Sequence, residues 1–311
     1  MTLPSGNAAT AAPSPAGRQS LRVAIMAATE QLAQAGVPSP KVDAEELAGH
    51  LLGISRTRLG LHPLLDAEQF AAYRDLILQR ESRVPLQYLT GTAVLGAVTV
   101  RVGPGVFIPR PETEVLVEAA LQAIVGVPHP VVVDLCTGSG AIALAIAMAR
   151  PDATVYGVER SLGALAWARR NADLHVAAGH TPIELRGGDF ADERLLADLD
   201  GLVDLVTANP PYVPDSTPVE PEVSDHDPAE AVFAGADGLD VIRPLITTAA
   251  GLLKPGGFVV IEHDASQGES VPALLSVRRV LADVQDHPDL AGRPRFVTAR
   301  RVRLVTAVNR T

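Results

Sequence analysis

Cysteine is nearly absent from this chain of 311 residues, with Cys136 the single example. One thiol excludes an intramolecular disulfide and any cysteine-built metal cage within the chain, and it suits a reducing cytoplasm, the expected location. Positive charge is also in short supply. Lys and Arg number 26 against 36 Asp and Glu, a formal net charge of -10, which argues against general affinity for polyanionic nucleic acid. Long apolar runs are missing too, since the alanine-rich stretch Ala141 to Ala149 stops at Arg150-Pro151, too short to span a bilayer. Neither DNA nor a membrane is therefore an expected partner, and the chain reads as soluble. Residues Met1 to Gly17 lack the basic and unbroken apolar regions of a signal peptide. Rich in Ala, Pro, Ser and Thr, they read, together with residue 18, as a disordered tail. There is no internal repeat, and His226, in the polar loop after the site, has no partner at metal-ligand spacing, so no metal is expected.

Three amphipathic helices follow the tail. Leu21, Ala24, Ile25, Ala28 and Leu32 recur at helical spacing until Gly36 and Pro38 end the pattern. Asp43 with Glu46 three residues on resembles a capping box, opening a second helix through Leu47, Leu51 and Leu52 to Gly53. Asp66 opens a third, with Phe70, Tyr73, Ile77 and Arg80 along it and a stop before Pro85. Residues 19–84 thus read as a small helical domain, suited to docking a partner or to capping a larger domain. Across residues 85–105 the period changes to two: Val98, Val100 and Val102 alternate after Gly96-Ala97, the pattern of a connecting hairpin. The segment from Val106 to Glu114 then sets Arg110 between two prolines. This holds Arg110 and Glu112 on a stiff loop, a candidate wall of an active site.

Residues 106–311 alternate strand and helix in the manner of an open parallel α/β sheet. Strands are predicted at Val131–Leu135, Thr154–Glu159, Ile183–Arg186, Leu202–Ala208 and Gly257–Glu262, with helices at Ala141–Ala149, Leu162–Ala172 and Asp240–Leu253. Phe296–Ala299 and Val302–Val305 read as a closing antiparallel strand or pair.

In such sheets a ligand sits beyond the carboxyl ends of the strands where their order reverses. The first of these loops, Thr137-Gly138-Ser139-Gly140, permits close backbone approach but lacks the G-x-G-x-x-G spacing that cradles a pyrophosphate. A dinucleotide is therefore disfavoured. Glu159 ends the second strand, placed to accept two ribose hydroxyls, while Asp189 suits an adenine amine and Phe190 the face of the ring. An adenosine site without a phosphate site fits S-adenosyl-L-methionine. The fourth strand runs into Asn209-Pro210-Pro211-Tyr212. Neither proline can continue a ladder. The Asn209 side-chain oxygen and the Pro210 carbonyl are thereby offered as a two-acceptor cradle for an –NH2 group, with Tyr212 presenting a face to a planar group. A planar amide and an exocyclic base amine both satisfy that cradle.

The Asn209 to Tyr212 box, the glycine loop and the segment Phe107-Ile108-Pro109-Arg110-Pro111-Glu112-Thr113-Glu114 together resemble the release-factor glutamine N5-methyltransferase family, also called the HemK family. The similarity runs from Leu21 to Val308 and includes Pro85 to Gly91 and Asp225 to Leu239. It implies a Rossmann-like, class I S-adenosylmethionine-dependent methyltransferase, with a mostly parallel seven-stranded sheet and a small all-α N-terminal domain. The implied substrate is the glutamine of the Gly-Gly-Gln loop of class I peptide-chain release factors. Asn209, Pro210 and Tyr212 would be catalytic. Thr137, Gly138, Ser139, Gly140, Glu159, Asp189, Phe190 and Asn209 would hold the cofactor, and Asn209, Pro210, Pro211, Tyr212, Arg110 and Glu112 the substrate. A monomer is expected. Two positions depart from the family pattern: Cys136, where glycine is frequent, and Pro294. Two other readings stand beside this one. An adenine-N6 nucleic-acid methyltransferase shares the Asn-Pro-Pro-Tyr box but needs a basic groove and a way to flip the base. A non-catalytic adenosyl-ligand sensor has no use for the acceptor cradle.

Overall fold

Helical periodicity near the amino terminus and alternating strands beyond it become two units, dividing between Thr90 and Gly91 in a computed structural model that describes residues 18–303. The expected tail at 1–17 and the Leu304-Val305 end of the second closing strand lie outside the described residues.

The first unit contains α1 (Leu21–Gln34), α2 (Pro40–Leu52), α3 (Ala67–Glu81) and the single turn α4 (Leu86–Thr90), with a two-residue pair β1 (Gln19–Ser20) and β2 (Leu64–Leu65). Leu21, Ala24, Ala28 and Leu32 share one face of α1, as their spacing requires, and join Leu47, Tyr73 and Ile77 in one apolar core. Asp66 caps α3 reciprocally: its Oδ1 accepts from Gln69 N at 2.8 Å and Gln69 Oε1 accepts from Asp66 N at 3.0 Å. Asp43, by contrast, does not cap α2. The helix starts three residues earlier, because Pro40 carries a φ already suited to the first helical turn. Asp43 is instead buried within the helix and accepts from Arg80 Nε at 2.7 Å, so each charge compensates the other.

The second unit opens with the hairpin β3 (Thr92–Leu95) and β4 (Val98–Arg101), turning at Gly96-Ala97. After the stiff loop come α5 (Glu114–Ala123), β5 (Val131–Leu135), α6 (Ala141–Ala149), β6 (Thr154–Glu159), α7 (Leu162–Ala177) and β7 (Glu184–Gly187). The chain continues through β8 (Val203–Ala208), the short α8 (Pro221–Ser224), α9 (Ile242–Leu252) and β9 (Leu253–Glu262). It closes with α10 (Ser270–Ser276), β10 (Leu281–Pro288) and β11 (Pro294–Arg301). Seven strands make one sheet in the order β10-β11-β9-β8-β5-β6-β7. The five from β9 to β7 are parallel, whereas β11 and β10 each run antiparallel to their neighbour. All six residues of β8 are buried, the reason its sequence shows no alternation.

The closing pair lies at 281–288 and 294–301: the expected Phe296–Ala299 strand falls within β11, but its partner is β10, and Val302 and Arg303 lie beyond the strand. β10 is the sheet edge, half exposed and carrying Gln285, Asp286 and His287, so no apolar run marks it. From β5 the chain builds β6 and β7 to one side, then β8 and β9 to the other. The order reverses between β5 and β8, and their carboxyl ends open on the same crevice.

Candidate active site

A cavity of about 400 Å³ occupies that crevice. Thr137, Gly138, Ser139, Glu159, Asp189, Phe190, Arg110 and the whole Asn209 to Tyr212 box line it; Gly140 and Glu112 do not. Gly140 ends the loop as the residue before α6, and the Glu112 carboxylate stands 3.8 Å from Arg293 Nη2. Phe190 is shared between this wall and the core beneath it.

The wall after β5 and β6 is held mostly by side chains that bond backbone groups. Gly138 takes a φ of 56°, a left-handed conformation that glycine adopts without a Cβ clash. Glu159 holds this turn: its Oε2 accepts from Gly138 N at 2.9 Å and its Oε1 from Ser161 N at 2.8 Å. Each carboxylate oxygen keeps a second lone pair, so acceptors remain for hydroxyls of a ligand. Beneath the loop, fully buried Asp134 accepts from Thr137 Oγ1 at 2.6 Å and Thr207 Oγ1 at 2.8 Å. Burial nevertheless pushes its carboxyl up to about 7, against the pull of those two hydroxyls. Asn171 of α7 pins the loop from behind, donating to Ser139 O at 2.9 Å and to Arg101 O at 3.0 Å. Cys136 sits at a φ of 59°, and burial pushes its thiol up, away from the reactive thiolate.

The opposite wall is held by side chains. Asn209 Nδ2 donates to Thr113 Oγ1 at 3.2 Å, and among the described residues its Oδ1 receives no hydrogen bond. The Tyr212 hydroxyl donates to Glu262 Oε1 at 3.0 Å. Burial pushes both groups up, the phenol further by the neighbouring carboxylate; for Glu262 the hydroxyls of Thr113 and Tyr212 and the Arg295 charge act in opposition. Glu262 Oε2 and Arg295 Nε, both buried, find no hydrogen bond among the described residues. Gln267 Nε2 donates to Tyr212 O at 2.9 Å and to Asp237 O at 3.2 Å, tying the turn to a neighbouring loop. Gly238 permits that approach, because a Cβ there would lie 2.1 Å from Tyr212 O. Arg110 Nη2 pairs with Asp227 Oδ2 at 2.5 Å while its guanidinium lies over the Phe107 ring.

Sequence reasoning gave no role to Asp134, Asn171, Thr113, Glu262, Gln267 or Asp227. Asp134 and Glu262 carry a signal, an acid at or near a strand end, like Glu159. Asn171, Gln267 and Asp227 carry none, since each meets its partner across a long stretch of chain.

A reversed-order, mostly parallel seven-stranded sheet, with a glycine loop, a strand-end acid and an Asn-Pro-Pro-Tyr turn around one crevice, defines a class I methyltransferase. Residues 24–91 match the model of the PrmC N-terminal domain and residues 98–224 that of the methyltransferase small domain. The release factor glutamine methyltransferase of Streptomyces coelicolor is 50% identical over 281 residues, 89% of this chain and 96% of that protein. The proteins of the same name from Mycolicibacterium smegmatis and Mycobacterium tuberculosis are 50% and 49% identical, covering 91% and 90% of this chain and 98% and 91% of their own. The chain belongs to the release factor glutamine methyltransferase family.

Proposed function

We propose that this protein transfers the methyl group of S-adenosyl-L-methionine to the side-chain amide nitrogen, N5, of the glutamine in the Gly-Gly-Gln loop of class I peptide-chain release factors. The observation that carries the reading is the Asn209 amide: with Nδ2 committed to Thr113, Oδ1 remains to accept, beside the Pro210 carbonyl. Two acceptors close together suit the two N–H groups of a primary amide. The shared name of the relatives supports glutamine as the acceptor.

The residues of the other wall fit the cofactor. Gly138 leaves room for close approach, Glu159 keeps lone pairs for ribose hydroxyls, and Asp189 and Phe190 line the same cavity for an adenine. When bound, S-adenosylmethionine supplies an electrophilic methyl group on its sulfonium. The chain's own contribution falls on the acceptor. An amide nitrogen is a weak nucleophile because its lone pair is delocalised into the carbonyl. Asn209 Oδ1 and the Pro210 carbonyl hold both N–H groups and stabilise the positive charge that develops on nitrogen as its bond to the methyl carbon forms and the methyl–sulfur bond breaks, its electron pair staying on sulfur. The cationic nitrogen then loses one proton to water. Holding the nitrogen in line with the methyl group supplies much of the remaining acceleration. The helical unit adds surface for docking a protein substrate, consistent with residues 24–91 matching a domain model of their own.

Mass spectrometry of an intact release factor, incubated with enzyme and labelled cofactor, tests this reading. Label is expected on the loop glutamine and on nothing when that glutamine is alanine. Label on adenine in DNA, with none on the release factor, would overturn the reading; tight cofactor binding without transfer to either would favour a sensor.

A further inference from the structure

We infer that Thr113 is a positioning residue for methyl transfer, setting which end of the Asn209 amide faces the cavity. The inference rests on the reading that Asn209 Oδ1 accepts from the substrate amide.

A side-chain amide has two orientations related by a half-turn, and only one serves the reaction. With Oδ1 toward the cavity it receives an N–H of the acceptor; with Nδ2 there, donors meet donors. The choice is made on the far side of the group, where Thr113 Oγ1 lies 3.2 Å from Nδ2. A threonine hydroxyl both donates and accepts, so alone it satisfies either orientation. Its proton must be drawn elsewhere for it to act as a fixed acceptor. Thr113 is 2% exposed, which leaves bulk water little access to its hydroxyl. The acceptor open to that proton is Glu262, a neighbouring carboxyl that is 1% exposed. Its Oε1 is taken by the Tyr212 hydroxyl, while Oε2 finds no hydrogen bond of good geometry.

Polarity therefore runs one way. Glu262 attracts hydroxyl protons from Thr113, in the stiff loop, and from Tyr212, in the Asn-Pro-Pro-Tyr turn. Thr113 Oγ1 is left as the acceptor, and Nδ2 of Asn209 must point to it. The buried carboxylate acts on the substrate amide through two intervening side chains, without touching it.

Thr113→Val keeps the shape and removes the hydroxyl; Thr113→Ser keeps the hydroxyl. Turnover on a release factor, cofactor Kd and thermal stability are measured for both, alone and with Asn209→Ala. Thr113→Val is expected to lower kcat about tenfold with cofactor Kd unchanged, and Thr113→Ser to restore most of the rate. In the Asn209→Ala background Thr113→Val is expected to cost nothing further, because its effect passes through Asn209. Thr113→Val at the wild-type kcat, or equal losses in both backgrounds, would overturn the inference. If valine prevents folding, Thr113→Ala is read by the same criteria. Asn209→Ala at the wild-type rate would instead remove the underlying reading of Asn209, an outcome distinct from a silent Thr113→Val beside an impaired Asn209→Ala.

Discussion

The two walls of the cavity are assembled over different distances along the chain. On the wall proposed for the cofactor most ties are short, Thr137 to Asp134 three residues away, Ser161 to Glu159 two, Gly138 to Glu159 21 and Asn171 to Ser139 32, with Thr207 reaching Asp134 across 73. On the wall proposed for the acceptor, Asn209 and Thr113 are 96 residues apart, Arg110 and Asp227 117, and Tyr212 is 50 and 55 from Glu262 and Gln267. Their buried carboxyls also differ: each oxygen of Asp134 accepts from a threonine hydroxyl, while Glu262 leaves one oxygen without a bond among the described residues. A loop that closes on itself forms with its own strand and helix. A surface made of distant segments exists only once the sheet and the stiff loop are both in place.

That difference makes mutational effects separable. The largest is expected beneath the cofactor wall. The Asp134 carboxyl stands at about 7 when folded, against 3.8 ordinarily, so between those values the native state holds a proton that the unfolded chain has released. Its contribution to stability is full below about pH 4, falls as pH rises and is gone above about pH 7, a loss on the order of 4 kcal/mol. Urea denaturation from pH 4 to 8 should show a flatter decline in Asp134→Asn, and parallel curves for the two proteins would remove Asp134 as the cause.

On the acceptor wall, Gly238→Ala puts a Cβ against Tyr212 O at a φ of 71°. It is expected to destabilise by about 3 kcal/mol and to reduce transfer. A thermal melt unchanged from wild type would mean that the turn is not clamped there. Asn209→Ala is expected to slow single-turnover transfer by about a hundredfold, near 2.7 kcal/mol, with cofactor affinity intact. Retention of rate within a few-fold would deprive Asn209 of its role. Glu159→Ala should do the reverse, weakening cofactor affinity by about 2 kcal/mol as ribose acceptors and the clamp on Gly138 go together. Calorimetry giving wild-type affinity would move the ribose site elsewhere and erase the contrast between the walls.

Much of this was legible in the residues themselves. β5, β6 and β8 appear as short runs with Asp134 and Glu159 at or near the ends of the first two and Asn209 just after the third, because strands buried in a parallel sheet carry little alternation. The glycine loop and Glu159 were legible for a related reason: φ preference and strand-end position are local properties. β10 was not, since an exposed edge strand has a polar composition close to that of a loop. Asp43 misled as a cap because a carboxylate three residues from a glutamate looks the same whether it ends a helix or pairs with Arg80. Thr113 stood within a quoted segment without a role, since nothing in a run of prolines and acids says which hydroxyl will face an amide 96 residues away.

The amino-acid sequence by itself determined the two-part organisation, the strand-loop-helix units and the chemical groups offered to a cofactor, because each depends on periodicity or backbone preference within a few residues. Tertiary structure alone decided which of those groups share a cavity, that Arg110 lines it and Glu112 does not, and how the Asn209 amide is turned. Those outcomes depend on the strand order reversing between β5 and β8 and on hydrogen bonds between segments distant in the chain. Strand order and long-range pairing are settled by packing the whole sheet, a property that no single stretch of sequence carries.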